Sequence, residues 1–303
     1  MQFDYGMNVV YDNLLKVFEY SVRKHMPDVK FVVYKEKEPQ ITHTKKAFTS
    51  NNYKLEKWLQ AFGTEADDDE IIFMDCDMLV LQDLATAFKE MFDIGYTRRT
   101  AAKMPYNGGV VFARNTPEAK LFVQLWQYID GIMYRNETFH VPYRNKYAGM
   151  NQAAFGFMKE FIDFNLANKP EVFRNHVVRT CGGPVQPSPR HHKQFEHFKQ
   201  IEKTLKHMDG HRNELVKVKL HEFLCAEYNA CKEDMTRIGP HTKVIHIKSD
   251  VRRQCIEYMT MVKRLGGKPV VNVELLAKYN IKRTRALELW SKYYHEAQEK
   301  KTQ

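Results

Sequence analysis

The sequence predicts an α/β fold: a mixed central sheet flanked by helices, followed by a helical C-terminal extension. Three observations predict it. Segments of helical period alternate with short apolar runs over residues 10 to 74. The apolar run at 71 to 74 leads straight into the acidic pair Asp75 and Asp77, and a second such run, Val244-Ile245-His246-Ile247, returns late in the chain.

Taken in order, Val10, Leu14, Phe18 and Val22 recur at helical spacing, and Pro27 closes that helix. Residues 29 to 34, rich in valine and aromatics, predict a strand. Leu55, Trp58, Leu59 and Phe62 mark a second helix, and the acidic turn at 67 to 70 opens the strand at 71 to 74. A short helix near 84 to 91 and strands near 93 to 95 and 109 to 113 follow. Thr116 suits a helix N-cap and Pro117 a first helical position, so a long helix starts there with Phe122, Trp126, Ile129 and Met133 facing inward. Residues 180 to 225 differ in kind. Their glycines and prolines at 182 to 189 and the polar, basic stretch at 191 to 211 predict an insertion lying over or beside the site. From Gly266 the tail reads as two helices, about 273 to 279 and 283 to 299. The expected organisation is a core over residues 1 to 260 and a basic helical extension over 261 to 303.

Composition narrows the class. With 303 residues, 43% of them hydrophobic, the chain can bury one sizeable core. No apolar run of about eighteen residues occurs, so no integral membrane association is expected. The start lacks the basic-then-apolar order of a signal peptide, which points to the cytoplasm. Cys76, Cys181, Cys225, Cys231 and Cys255 are scattered and odd in number, predicting free thiols. The sequon at Asn136 is then a chance match. The net charge is +10, and residues 241 to 303 carry 14 Lys or Arg against 6 Asp or Glu. Such an end attracts polyanions, or is a solvated positive face.

The chemistry concentrates in Phe73-Met74-Asp75-Cys76-Asp77. Side chains two apart on an extended chain share a face, so both carboxylates can meet one cation where the strand ends. Oxygen ligands favour a hard ion, Mg2+ or Mn2+. Haloacid-dehalogenase phosphatases also place D-x-D after an apolar strand, but their Gly-Thr continuation is replaced here by Met78-Leu79.

Several elements in order resemble the GT-A glycosyltransferases, particularly glycosyltransferase family 8. They are Asn52-Tyr-Lys54-Leu-Glu-Lys-Trp58, Phe73-Met-Asp75-Cys-Asp77, Asp93-Ile-Gly95 with Thr97-Arg98-Arg99, Tyr106-Asn107-Gly108-Gly109-Val110, Asn151-Gln152-Ala153 and Val244-Ile-His246-Ile-Lys248. The resemblance spans residues 1 to about 260 and implies a Rossmann-like GT-A domain that moves a sugar from a nucleotide-diphosphate donor, by family habit a UDP-sugar. It also implies that Asp77, Asp75 and His246 hold the divalent cation and that Asp75 also serves as a ribose contact. Lys248 and Arg98 or Arg99 would lie toward the diphosphate or acceptor, Asn107, Gly108 and Gly109 against the donor sugar, and Lys54 near the nucleotide. Gln152 matches the residue beside the anomeric carbon in retaining members. Asn151 stands where the family has Asp and cannot act as a base. The first strand is short, leaving Asp4 and Tyr11 as candidates for base and ribose.

No motif specifies the acceptor. A basic-tailed transferase without a membrane anchor resembles bacteriophage enzymes that glycosylate modified bases, which makes DNA a candidate partner; a base would have to reach the site flipped or single-stranded. Carbohydrate and protein acceptors stay open. The tail resembles a helix-turn-helix, though its short turn suits an ordinary helical hairpin better. The histidines at 191, 192, 197, 207, 211 and 221 are too irregularly spaced for a zinc site. A second class of function is nucleic-acid binding on a degenerate GT-A scaffold. A nucleotidyltransferase is disfavoured, since no glycine-rich phosphate loop opens the chain.

Overall fold

A computed structural model of the chain describes residues 2–4, 9–37, 43–101, 104–149, 151–183, 188, 191–270 and 272–300, with backbone alone at 2–4, 9–10, 35–37 and 43–50. The chain runs β1 (Gln2–Asp4), α1 (Val9–His25), β2 (Lys35–Lys37), α2 (His43–Thr64), β3 (Glu70–Met74), β4 (Met78–Val80), a 3-10 turn (Ala85–Lys89), β5 (Ile94–Arg98) and β6 (Tyr106–Arg114). There follow α3 (Pro117–Arg135), α4 (Glu137–Tyr147), α5 (Asn151–Leu166), α6 (Pro170–Thr180), α7 (His192–Gly210), α8 (Arg212–Leu215) and β7 (Leu220–Leu224). The rest is α9 (Cys225–Tyr228), a second 3-10 turn (Lys232–Arg237), β8 (Val244–His246), α10 (Asp250–Arg264), α11 (Val273–Lys278) and α12 (Arg285–Glu299).

The protein is a mixed α/β structure. Its main sheet has the order β3-β6-β5-β7, antiparallel except for β5 with β7, and two smaller pairs stand beside it, parallel β1-β2 and antiparallel β4-β8. Helix α3 starts as its sequence dictates. Thr116 Oγ1 accepts from Ala119 N at 3.1 Å, and Phe122, Trp126, Ile129 and Met133 are all buried. Each contributes about 1.5–3 kcal/mol relative to exposure. With α2, α5 and the α7–α8 segment they form the largest apolar cluster, against one face of β3.

Some elements depart from the sequence pattern. The strand expected at 29 to 34 is not there: residues 30 to 34 form no regular structure, Val32 and Val33 are exposed, and pairing begins only at β2. The stretch 191 to 211 is mostly the helix α7, whose Ile201, Leu205 and Met208 enter the large cluster through a stripe hidden among polar residues. Residues 184 to 187 and 189 to 190 of the proline-rich loop lie outside the described residues.

The basic tail is built into the core. Leu276, Ile281, Leu287 and Trp290 share one cluster with Leu14 of α1, Leu79 of β4 and Ile245 of β8. The five cysteines are free and buried. Asn136 is fully buried as the cap of α4, with Nδ2 donating to His197 O at 2.8 Å. Among the described residues no helix is long and apolar enough to cross a membrane.

One buried carboxyl opposes folding. Asp130 of α3 has no exposure, touches Asn52 Nδ2 through one oxygen at 3.1 Å, and leaves Oδ1 without a partner. Burial pushes its pKa up to about 7, the Asn52 bond only partly opposing. Such a group keeps its proton in the folded state while the unfolded chain ionises near 4, so stability falls as pH rises from about 4 to about 7. Asp130→Asn is therefore expected to raise the thermal midpoint at pH 8, by roughly 1–4 kcal/mol of stability, with the gain shrinking toward pH 4. Midpoints measured across that range check the sign, and a gain larger at low pH would contradict it.

Candidate metal centre

Three chain segments meet at the carboxyl end of β3. The β3-β6 ladder sets Met74 opposite Val110 and continues as Asp75 N donating to Gly109 O at 2.9 Å. The chain then bends through Cys76 and Asp77 before β4, so the two carboxylates converge by a bend and not, as an extended strand would have it, by sharing one face. Strand β4 pairs with β8 in a register that sets Met78 opposite His246, and Ile247 N donates to Asp77 O at 2.7 Å. This antiparallel pairing carries His246 across 168 intervening residues to the acidic pair.

His246 Nε2 lies 3.4 Å from Asp77 Oδ1 and 3.8 Å from Asp75 Oδ2. One ligand atom from each of the three residues falls within 4.8 Å of the others. Two ligands on opposite sides of a magnesium-sized ion stand roughly 4.2 Å apart. The donor set, two carboxylates and an imidazole, therefore fits a hard divalent ion with little movement. Orientation of the ring supports the fit. Asn229 Nδ2 donates to Thr97 Oγ1 at 2.9 Å, and Thr97 Oγ1 in turn donates to Asn107 O at 2.8 Å. Asn229 Oδ1 thus faces His246 Nδ1 at 3.0 Å and accepts a hydrogen bond from its N–H, leaving Nε2 toward the carboxylates.

Electrostatics bind the cluster without an ion. Burial alone favours the neutral form of Asp77, but the charge and hydrogen bond of His246, together with the Arg252 guanidinium, outweigh it and hold the carboxyl well below the usual range. Burial likewise lowers His246, and Asp77, with a further bond to Cys231, raises it more, so the imidazole is held above its ordinary value. Arg252 NH2 sits 2.7 Å from Asp77 Oδ2, while its NH1 donates to Tyr11 Oη at 2.5 Å and its guanidinium lies 5.2 Å from the Tyr11 ring centroid.

Other expected residues gather around the triad. Lys54, against the default for a helix lysine, is buried, with Nζ 2.5 Å from both Asp75 Oδ1 and Gly108 O. Asn107 Nδ2 donates to Cys231 Sγ at 2.8 Å, and its Oδ1 accepts from Gly109 N at 3.0 Å. Gly109 earns its place through space: an added Cβ would lie 2.6 Å from Met78 Cε and 2.7 Å from the His246 ring. Gly108 is different, since a Cβ there meets only Asn151, at 3.9 Å. Asn151 begins α5, is buried, and leaves Nδ2 without a partner among the described residues. Gln152 Nε2 donates to Tyr106 O at 3.1 Å. Lys248 is half-buried and close enough to oppose protonation of His246.

Arg98, the last residue of β5, stands apart, mostly exposed and paired at 3.1 Å with Glu222 in the middle of β7. Its neighbour Arg99 turns the other way, to Glu233, two residues from Cys231. The side chain of Asp4 lies outside the described residues. Sequence reasoning missed Asn229, Cys231 and Arg252. Asn229 and Cys231 belong to no motif and arrive through the Ala230–Ile245 bridge. Arg252 carried a readable signal, a cation in the first turn of α10, where the helix dipole disfavours one.

The fold and site together define a mixed α/β protein with a buried Asp-x-Asp-plus-His group able to hold a divalent metal ion. No family model matches the chain, and no curated protein matches it.

A divalent ion must displace the proton held on His246, so Mn2+ affinity should rise about tenfold per pH unit below the raised imidazole pKa and level off above it. In the metal-free protein the protonated imidazole adds stability below about 6.5 and loses it as pH climbs through the raised value. The Mn2+-induced gain in thermal midpoint should therefore grow from pH 5.5 to 8.5; Mn2+ titration by paramagnetic resonance and calorimetry check both. Gly109→Ala should crowd the imidazole, costing about 1–3 kcal/mol, and Asn229→Ala should weaken Mn2+ binding about 10- to 100-fold. Unchanged affinity in Asn229→Ala would remove its orienting role.

Proposed function

We propose that the protein is a metal-dependent glycosyltransferase on a GT-A scaffold, moving a sugar from a nucleotide-diphosphate donor of the UDP-sugar kind. The observation that carries this reading is the meeting of Asp75, Asp77 and His246 around a single point, flanked by the cations Lys54 and Arg252. Asp75, Asp77 and His246 would hold Mn2+ or Mg2+, which supplies positive charge against the departing diphosphate. Arg252 and Lys248 add fixed cationic groups on the same side, and Lys54 keeps Asp75 in place. Tyr11, joined to Arg252, is the described residue best set for the ribose or base.

On the sugar side, Gly108 leaves open space beside the unpartnered amide of Asn151. A sugar hydroxyl there would accept from Asn151 Nδ2 and satisfy a buried donor that otherwise costs about 1–3 kcal/mol. Gln152 places a neutral amide next to it. With amides at both 151 and 152, the first turn of α5 offers no base, which favours retention of configuration over inversion. The net charge of +10 supports a polyanionic acceptor, and modified bases in DNA are the acceptor proposed.

Incubation with Mn2+ and a panel of nucleotide sugars, with and without modified DNA, tests the reading through nucleotide release. Release is expected with one donor, abolished by chelation, reduced more than about 100-fold in Asp77→Asn, and kept in the surface variant Lys278→Ala. Donor-independent silence in a protein that binds DNA in a salt-sensitive way would favour the nucleic-acid-binding alternative instead. A Gly108→Ala variant that folds and binds Mn2+ normally but loses donor turnover would support the sugar position. Equal turnover in Gly108→Ala would move the sugar elsewhere.

A further inference from the structure

Six histidines lie irregularly between residues 191 and 221, and helix α7 brings two of them together. Residues four apart on a helix stand one above the other, with Cβ atoms roughly 5–6 Å apart. His207, in the last turn of α7, and His211, just beyond it, are such a pair. Their ring centroids lie 5.0 Å apart, with the ring planes at 74°. That separation is the one a shared ion requires. A zinc–imidazole bond is about 2.0–2.1 Å and the ring centre lies about 1.1 Å beyond the bonding nitrogen, so two imidazoles on a tetrahedral ion have centroids roughly 5 Å apart.

The surroundings hold the pair in place and leave it accessible. Tyr128 of α3 packs on the His207 ring, with 4.6 Å between centroids, and Leu215 N donates to His211 O at 2.9 Å where the chain enters α8. Leu215 is buried in the large apolar cluster, so the corner that carries His211 is anchored. His207 is exposed and His211 half-buried. The acid between them in sequence, Asp209, is turned to Arg212 at 2.6 Å, with Arg174 4.0 Å away. Burial and the neighbouring His211 hold His207 below its ordinary pKa, which keeps its lone pair free at neutral pH. The carbonyl end of a helix also favours a positive charge.

We infer that His207 and His211 form a second metal site, separate from Asp75, Asp77 and His246, that takes one late transition-metal ion of the Zn2+, Ni2+ or Cu2+ kind. Two imidazoles without a carboxylate select such ions over the hard Mg2+ and Mn2+ that suit the acidic centre. The protein fills two coordination positions and water fills the others. Bound there, the ion ties the last turn of α7 to the corner between α7 and α8. The inference uses no residue of the acidic centre and stands whatever ion or donor that centre takes.

The test uses the full chain carrying Asp77→Asn, which disables the acidic centre. Calorimetric titration with Zn2+ near neutral pH should find one ion per chain, and paramagnetic resonance of the Cu2+ form should show splitting from two nitrogen ligands. His207→Phe and His211→Phe keep a ring at each position and remove the lone pair. Each should weaken Zn2+ binding at least about tenfold, because the remaining imidazole loses a partner held at high effective concentration. Either Phe variant suffices, provided that its metal-free thermal midpoint matches that of the parent. His192→Ala, at the far end of α7, should bind Zn2+ as the parent does. Unchanged affinity in a folded Phe variant would overturn the inference. An equal loss in His192→Ala would overturn it too, marking diffuse binding to surface histidines.

Discussion

The structure turns on the antiparallel contact between β4 and β8. It places a buried imidazole against a buried carboxylate, and every neighbouring feature can be read as compensation for those charges. Breaking a buried pair by removing one partner costs about 3–5 kcal/mol, because the survivor keeps its desolvation penalty. Arg252 reaches Asp77 from α10, Lys54 reaches Asp75 from α2, and Asn229 holds the far side of the His246 ring. Gly109 supplies the absence of a side chain that the ring requires.

This arrangement gives the helical tail a structural part. Trp290 and Leu287 of α12 pack with Tyr258 of α10 and with Ile245 and Ile247 beside His246. Helix α10 carries Arg252, so the tail braces both the strand that presents the imidazole and the helix that presents the guanidinium. Its basic residues lie on a surface whose interior is committed to the core, and Arg283 and Arg285 are both paired with Glu288.

The two sides of β3 contrast. Toward β6 the strand is fully laddered, and its Phe73 is buried with residues of α2 and α3, which fixes where Asp75 emerges. On the other side it faces a cavity and an irregular segment whose valines are exposed.

By itself the sequence determined what local chemistry controls. The Thr116-Pro117 start of α3, its inward stripe, the apolar run before Asp75 and the two tail helices are visible because capping and periodicity act over a few residues. The pairing of Asp75 and Asp77 with His246 was legible only through an ordered set of motifs, since nothing local in Val244 to Ile247 distinguishes a ligand from a core histidine. Tertiary structure decided the rest. Residues 29 to 34 have strand propensity but form no strand, because a strand needs an adjacent edge at bonding distance. Lys54 is buried because Asp75 and Gly108 lie across from α2, and Asn229, Cys231 and Arg252 reach the centre through pairings that no spacing encodes. Propensity is a property of neighbours in sequence, whereas a site is made by neighbours in space.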